Sequence, residues 1–111
     1  MIAKDFRLKR NQIDYLLDKG LSTNTRVFIV RYIQNNKDFP RFCVIISKKI
    51  DNRATVRNQL RRQIYESIRI TNLLKNLANL DIILIPKKAI ISKSFAEIKE
   101  DISTLPSKIT T

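Results

Sequence analysis

From Arg53 to Leu77 the chain sets apolar residues at helical spacing, and most positions between them are polar or basic. A rod with one apolar stripe is stable only when another element covers that stripe. On a wheel of about 100° per residue with Leu60 at zero, Val56, Leu60, Ile64, Ser67, Ile68, Thr71 and Leu74 fall within an arc of about 120°. Arg57, Arg61, Tyr65, Asn58, Arg69 and Arg62 fall in a neighbouring arc of about 140°. A helix is expected to begin between Arg53 and Thr55 and to run to about Leu77, with one core face and one cationic face.

The cover for that stripe must come from short segments. "TRVFIVRYI", Thr25 to Ile33, and "RFCVIIS", Arg41 to Ser47, are rich in β-branched and aromatic residues, as strands are. "QNNKDFP" reads as the loop between them, so the two are expected to pair as an antiparallel hairpin. Both faces of the first strand are largely apolar, so both should be covered. "DIILIP", Asp81 to Pro86, is a continuous apolar run suited to a strand buried on both faces. An earlier helix is expected from about Asn11 to Lys19, because Ile13, Leu16 and Leu17 share a face. Gly20 stands where a helix often closes on a left-handed residue. A last helix starts at Ser94, with Glu97 completing a capping box, and its stripe is Phe95, Ile98, Ile102 and Leu105. Pro106 is expected to end it.

The order is α-β-β-α-β-α, with the long first strand either whole or split. This is one α+β domain over residues 1–111, a small central sheet packed by a long basic helix. A helix joining the second strand to "DIILIP" also allows those two to lie parallel.

Charge narrows the function. The formal net charge is +12 and the isoelectric point about 10.3. Residues 47–69 carry seven Lys or Arg against Asp51 and Glu66, and residues 1–10 carry four against Asp5. Glu66 is placed to pair with Arg62 and Arg69, while Arg57 and Arg61 repel at i, i+4. A helix selected for solubility alone gains nothing from that stacking. Arginine outnumbers lysine five to two in the stretch, and its planar fork suits phosphate and base edges. A polyanionic partner is implied, nucleic acid ahead of an anionic membrane surface. Asn58 among these arginines is either a plain exposed residue or a reader of a base edge or 2′-hydroxyl.

Other chemistries are thinly supplied. There is no histidine, so the commonest general base and metal ligand is missing, and one cysteine cannot build a zinc site or an intramolecular disulfide. Cys43 sits in an apolar run, where a thiol behaves as a small core residue. No metal site on the protein is expected. No signal peptide, lipidation motif or 18-residue apolar run is seen, so a cytoplasmic protein without a membrane span is expected.

These residues resemble the bacterial ribonuclease P protein component. Lys48-Lys49, Arg57-Asn58, Arg61-Arg62, Glu66-Ser67 and Arg69 match its central signature. "FRLKRNQ", "DIILIPKK" and "SFAEIKEDISTL" match its flanks, so the likeness covers roughly residues 6 to 105. It implies a ribosomal protein S5 domain 2-like fold with a left-handed β-α-β crossover. It implies a subunit that binds the catalytic ribonuclease P RNA and the 5′ leader of precursor tRNA, assisting Mg²⁺-dependent removal of the leader. Chemistry would come from the RNA, Mg²⁺ would be held mainly there, and no protein partner would be required.

Carried over by position, Lys48, Lys49, Arg53, Arg57, Asn58, Arg61, Arg62 and Arg69 would face the catalytic RNA. Arg7, Lys9 and Arg10 would add N-terminal basic contacts. Ile13, Leu17, Ile29, Arg31 and Tyr65 would line the leader cleft. Five positions depart from the family pattern: Gln59 replaces an arginine, Tyr65 a cation, Ile13 and Leu17 common phenylalanines, and Arg31 a common tyrosine. The competing functions are a stand-alone RNA- or DNA-binding architectural protein, such as a ribosomal component, and a nuclease acting alone.

Overall fold

The most continuously apolar segment occupies the interior of the sheet. The computed structural model describes residues 4–77 and 79–109. Its helices are α1 (Arg10–Lys19), α2 (Ala54–Ile70), α3 (Leu73–Asn76), α4 (Phe95–Ser103) and α5 (Leu105–Ile109). Its strands are β1 (Leu21–Asn24), β2 (Phe28–Gln34), β3 (Arg41–Val44) and β4 (Leu80–Pro86), in the spatial order β1-β2-β4-β3. Ile82, Ile83 and Leu84 are all fully buried, so both faces of β4 are covered.

That placement overturns the expected hairpin. β2 and β3 do not pair; β4 lies between them, antiparallel to β2 and parallel to β3. A strand apolar on both faces gains most from an interior position, whereas β3 needs only one buried face. The first strand is whole rather than split, and an unexpected strand precedes it: Leu21–Asn24 pairs with β2 around a turn at residues 25–27.

One sheet face carries the main core. Phe28, Val30, Phe42, Val44, Ile82 and Leu84 meet Leu60, Ile64 and Ile68 of α2 and Ile98 and Ile102 of α4. Strand alternation turns the intervening residues to the other face, where α1 packs. Leu16 and Ile83 are fully buried there, outside the main cluster. The register lays three rows across that face: Asn24–Ile29–Ile85, then Ser22–Arg31–Ile83–Cys43, then Ile33–Asp81–Arg41. Helix α1 does not cover all of it, since Ile29 remains 39% exposed. Both faces are covered as expected, the α1 face only in part.

Three boundaries also differ from expectation. Helix α2 stops at Ile70, because Asn72 takes a left-handed conformation (φ 58°) that an asparagine tolerates. The turn re-aims the chain so that Leu73 and Leu77 still reach the core. Pro106 does not terminate the helical region but sits second in α5, a position where a missing N–H costs nothing. Its short turn buries Leu105 and Ile109. Gly20 closes α1 in an extended conformation (φ −74°), so left-handedness is not its purpose. A Cβ there would lie 2.5 Å from the Leu16 carbonyl oxygen and 2.6 Å from Leu16 Cδ1. The glycine allows close approach of backbone to backbone.

Two capping features match the sequence reading. Ser94 Oγ accepts from Glu97 N at 3.2 Å, and Glu97 Oε1 accepts from Ser94 N at 2.9 Å. Among the described residues no helix is long and apolar enough to cross a membrane.

Leu60→Ala should cost about 2–5 kcal/mol, read as a lower denaturation midpoint. An unchanged midpoint would show that the α2 stripe is not buried. Gly20→Ala should cost about 1–3 kcal/mol by overpacking against Leu16, read the same way.

Candidate nucleic-acid interface

The loop ahead of α2 is organised by an acid. Asp51 Oδ1 accepts the Arg53 backbone N–H at 2.9 Å and Arg53 Nε at 3.0 Å, and Asp51 Oδ2 accepts Arg53 Nη2 at 2.9 Å. The Asp51 carbonyl accepts Arg57 Nη1 at 2.9 Å. These bonds, first the Arg53 side chain and then its backbone N–H, hold the Asp51 carboxyl down at about 2. Sequence reasoning counted Asp51 only as a charge against the cations; an acid two residues before an arginine in a polar loop was the available signal.

Helix α2 starts without a side-chain cap and without an acid in its first turn. Its unpaired first-turn N–H groups and positive dipole end therefore add to the potential of the exposed Lys48, Lys49 and Arg53. This end of the helix is suited to an anion.

The cations of α2 divide into two groups. Arg57 and Arg61 are half-buried on the flank nearest β3, and Asn58, Arg62 and Arg69 are exposed on the outer side. Arg61 Nη1 donates to Asn58 Oδ1 at 2.9 Å, so the asparagine orients the guanidinium and keeps its own NH₂ free to donate. Arg69 pairs with Glu66; Arg62, expected to share that acid, does not. Arg62 instead borders a shallow apolar hollow with Gln63, Glu66 and Phe95 of α4. Among the described residues, Lys48, Lys49, Arg57, Arg61 and Arg62 have no carboxylate partner.

Tyr65 is not an open cleft residue. It is 5% exposed and belongs to the main core, with its phenol against the β3 edge. Burial raises the Tyr65 phenol, with Cys43 adding to the rise, while the Val44 backbone N–H, Arg61 and Arg7 pull it down. The N-terminal segment lies beside this flank: Arg7 bridges to Phe42, and Leu8 N donates to the Phe42 carbonyl at 2.9 Å. Burial likewise raises the Cys43 thiol, against a smaller lowering by Arg61, which suits a packing residue more than a nucleophile.

The other cleft positions share the α1 face of the sheet. Leu17 is 43% exposed, Ile29 lies open on its row, and Ile13 is half-buried. Arg31 Nη2 donates to the Leu17 carbonyl at 2.8 Å, so this arginine ties the end of α1 to β2. Its Nε is buried and has no hydrogen-bond partner among the described residues. Lys9 and Arg10 are exposed at the start of α1, Arg10 within 3.7 Å of Asp14.

The Ribonuclease P family model matches residues 2–110. The chain belongs to the ribonuclease P protein family. The ribonuclease P protein component of Petrotoga mobilis is 35% identical, over 93% of this chain and 88% of its own length. That of Clostridium kluyveri is 30% identical over 93% of each chain. Among solved structures, the ribonuclease P protein of Thermotoga maritima superposes with a TM-score of 0.83 at 25% identity, covering 95% of this chain and 98% of its own. A Staphylococcus aureus ribonuclease P protein mutant gives the same score at 26% identity, covering 94% and 87%. The chain is thus a protein component of an endoribonuclease of tRNA processing, with the small α+β fold of that family.

Arg62→Ala should weaken RNA binding by gel shift and leave the melting temperature unchanged. Arg57→Ala should lower both, because it also removes the bond to the Asp51 carbonyl. The Asp51 pairing is present above the ordinary aspartate pKa of about 3.9 and is lost as pH falls through about 2. A carboxyl NMR titration of Asp51 should therefore show a midpoint near 2, and Arg53→Ala should return it toward the ordinary range.

Proposed function

We propose that this chain binds ribonuclease P RNA through the loop and helix carrying Lys48, Lys49, Arg57, Asn58, Arg61 and Arg62, and receives the 5′ leader of precursor tRNA on the α1 face of the sheet. The observation that carries this reading is the set of five cations left without intramolecular carboxylates around one helix start. Two folded RNAs repel each other, and a surface of unpaired guanidinium and ammonium groups offsets that repulsion. Arg53 and Arg69 contribute less, since each already holds an acid. Arg7 joins through the β3 edge, and Lys9 and Arg10 extend the basic surface at the start of α1.

The leader would lie along Leu17, Ile13 and Ile29. These are aliphatic where aromatic rings would stack bases, so the protein's grip on the leader is weak per nucleotide. Arg31 acts here as a tie between α1 and β2, and Tyr65 as support for the Arg61 flank.

Mg²⁺ is assigned to the RNA. Among the described residues no three carboxylate, cysteine or histidine side chains come together to hold a metal ion. The carboxylates near the interface, Asp51 and Glu66, already hold Arg53 and Arg69, a poor fit to a protein-held Mg²⁺. On this reading the RNA partner supplies the Mg²⁺ chemistry, as the family resemblance implies, and the protein acts by binding and charge neutralisation in the cytoplasm.

Reconstitution tests the proposal. The purified chain should restore cleavage of precursor tRNA at low Mg²⁺ when a bacterial ribonuclease P RNA is added, and should cleave nothing without it. Cleavage by the protein alone would identify a self-sufficient nuclease, and binding without rescue an architectural protein. If about six to ten phosphates are neutralised, affinity should fall about 10³–10⁵-fold between about 50 and 200 mM salt.

A further inference from the structure

Helix α1 has two long flanks. Ile13 and Leu17 lie on the one facing the open leader row. The opposite flank, with Asn11 and Tyr15, borders a separate shallow concavity of about 780 Å³ whose far wall is the end of β2 and the loop after it. This concavity is unusually rich in amides. Five of the chain's thirteen Asn and Gln residues line it, from the runs 11–12 and 34–36.

Two of the five are committed to the fold. Gln12 Oε1 accepts the Lys9 N–H at 2.8 Å, and Asn35 Nδ2 donates to Asp81 Oδ1 at 2.8 Å. Of the other three, Gln34 alternates to the opposite face of the sheet, while Asn11 and Asn36 are exposed and among the described residues their amides have no hydrogen-bond partner. Beside them the Tyr15 ring is 59% exposed, the most open aromatic residue of the fold.

The floor is electrically neutral. Arg41 binds Asp81 in a two-pronged pair, Nε to Oδ1 and Nη2 to Oδ2, each at 2.8 Å, with both side chains mostly buried. A phosphate would gain little from such a floor, whereas a base edge needs donors and acceptors without net charge. Cations stand next to the amides in sequence, Lys9 and Arg10 before Asn11 and Lys37 after Asn36, all exposed, with Arg10 beside Asp14 and Lys37 followed by Asp38. The arrangement is a stacking ring, free amides and flanking cations, the combination that single-stranded nucleic acid uses.

We propose that this concavity is a nucleobase subsite: one unpaired RNA base stacks on Tyr15 and is hydrogen-bonded by Asn11 and Asn36, on the side of α1 away from the leader row. The proposal rests on the RNA-binding reading of the chain and adds a second, position-specific contact to it. It gives the aliphatic leader row a compensating aromatic anchor elsewhere on the same helix.

The test uses the full chain and a short single-stranded oligouridylate containing 4-thiouridine. Photocrosslinks mapped by mass spectrometry should fall on residues 11–15 and 34–36. Tyr15→Ala should lower the crosslink yield there and weaken binding about 5- to 150-fold, the range for loss of one stacked base. Tyr15→Phe, which keeps the ring, should behave as the parent protein, and Asn36→Ala should weaken binding without changing the melting temperature. Crosslinks confined to the Leu17–Ile29 side, or equal losses in Tyr15→Ala and Tyr15→Phe, would overturn the subsite. Assembly with ribonuclease P RNA is measured in parallel. Assembly that succeeds in the parent protein while these crosslinks are absent sinks the subsite and leaves the holoenzyme role standing.

Discussion

Burial of the α2 stripe against the sheet is the contact on which the interface depends. Leu60, Ile64 and Ile68 fix the rotation of the helix about its axis, and that rotation decides where every arginine points. The side chains on the sheet side are held by apolar packing, which is insensitive to salt, while the outward ones work through charge, which is not. The two roles are separable on one helix because 3.6 residues per turn keep them on different arcs.

Within the basic surface, position matters more than number. Asp51 gathers Arg53 by its carboxylate and Arg57 by its carbonyl, so the loop and the first turn of α2 form one hydrogen-bonded unit. Asn58 does the same for Arg61. Long cationic side chains lose rotamer freedom on binding RNA, and those already held by neighbours lose less. Arg62 lacks such a partner among the described residues and keeps its freedom until RNA arrives.

Much of this was legible in the sequence because helical periodicity is local. The core stripe of α2, the capping box at Ser94 and Glu97, and the doubly buried β4 follow from spacing and residue type alone. Strand pairing was not legible. Nothing in "TRVFIVRYI" or "RFCVIIS" tells either strand that β4, forty residues on, will lie between them, since pairing is decided by total burial. Arg57 was placed on the open side of the wheel and is half-buried, because the wheel says nothing of a carbonyl waiting in the preceding loop. Tyr65 is buried for a similar reason: the N-terminal segment and the β3 edge close over an arc that a lone helix would expose.

The short bridge between Arg7 and Phe42 has a consequence for the protein before it meets its RNA. β3 ends the sheet, and a bare final strand presents a row of donors and acceptors to any passing chain. The N-terminal backbone occupies part of that row through the Leu8 to Phe42 bond, and the opposite border, β1, is only four residues long. Together with mutual repulsion at a net charge of +12, this leaves little template for strand addition between copies.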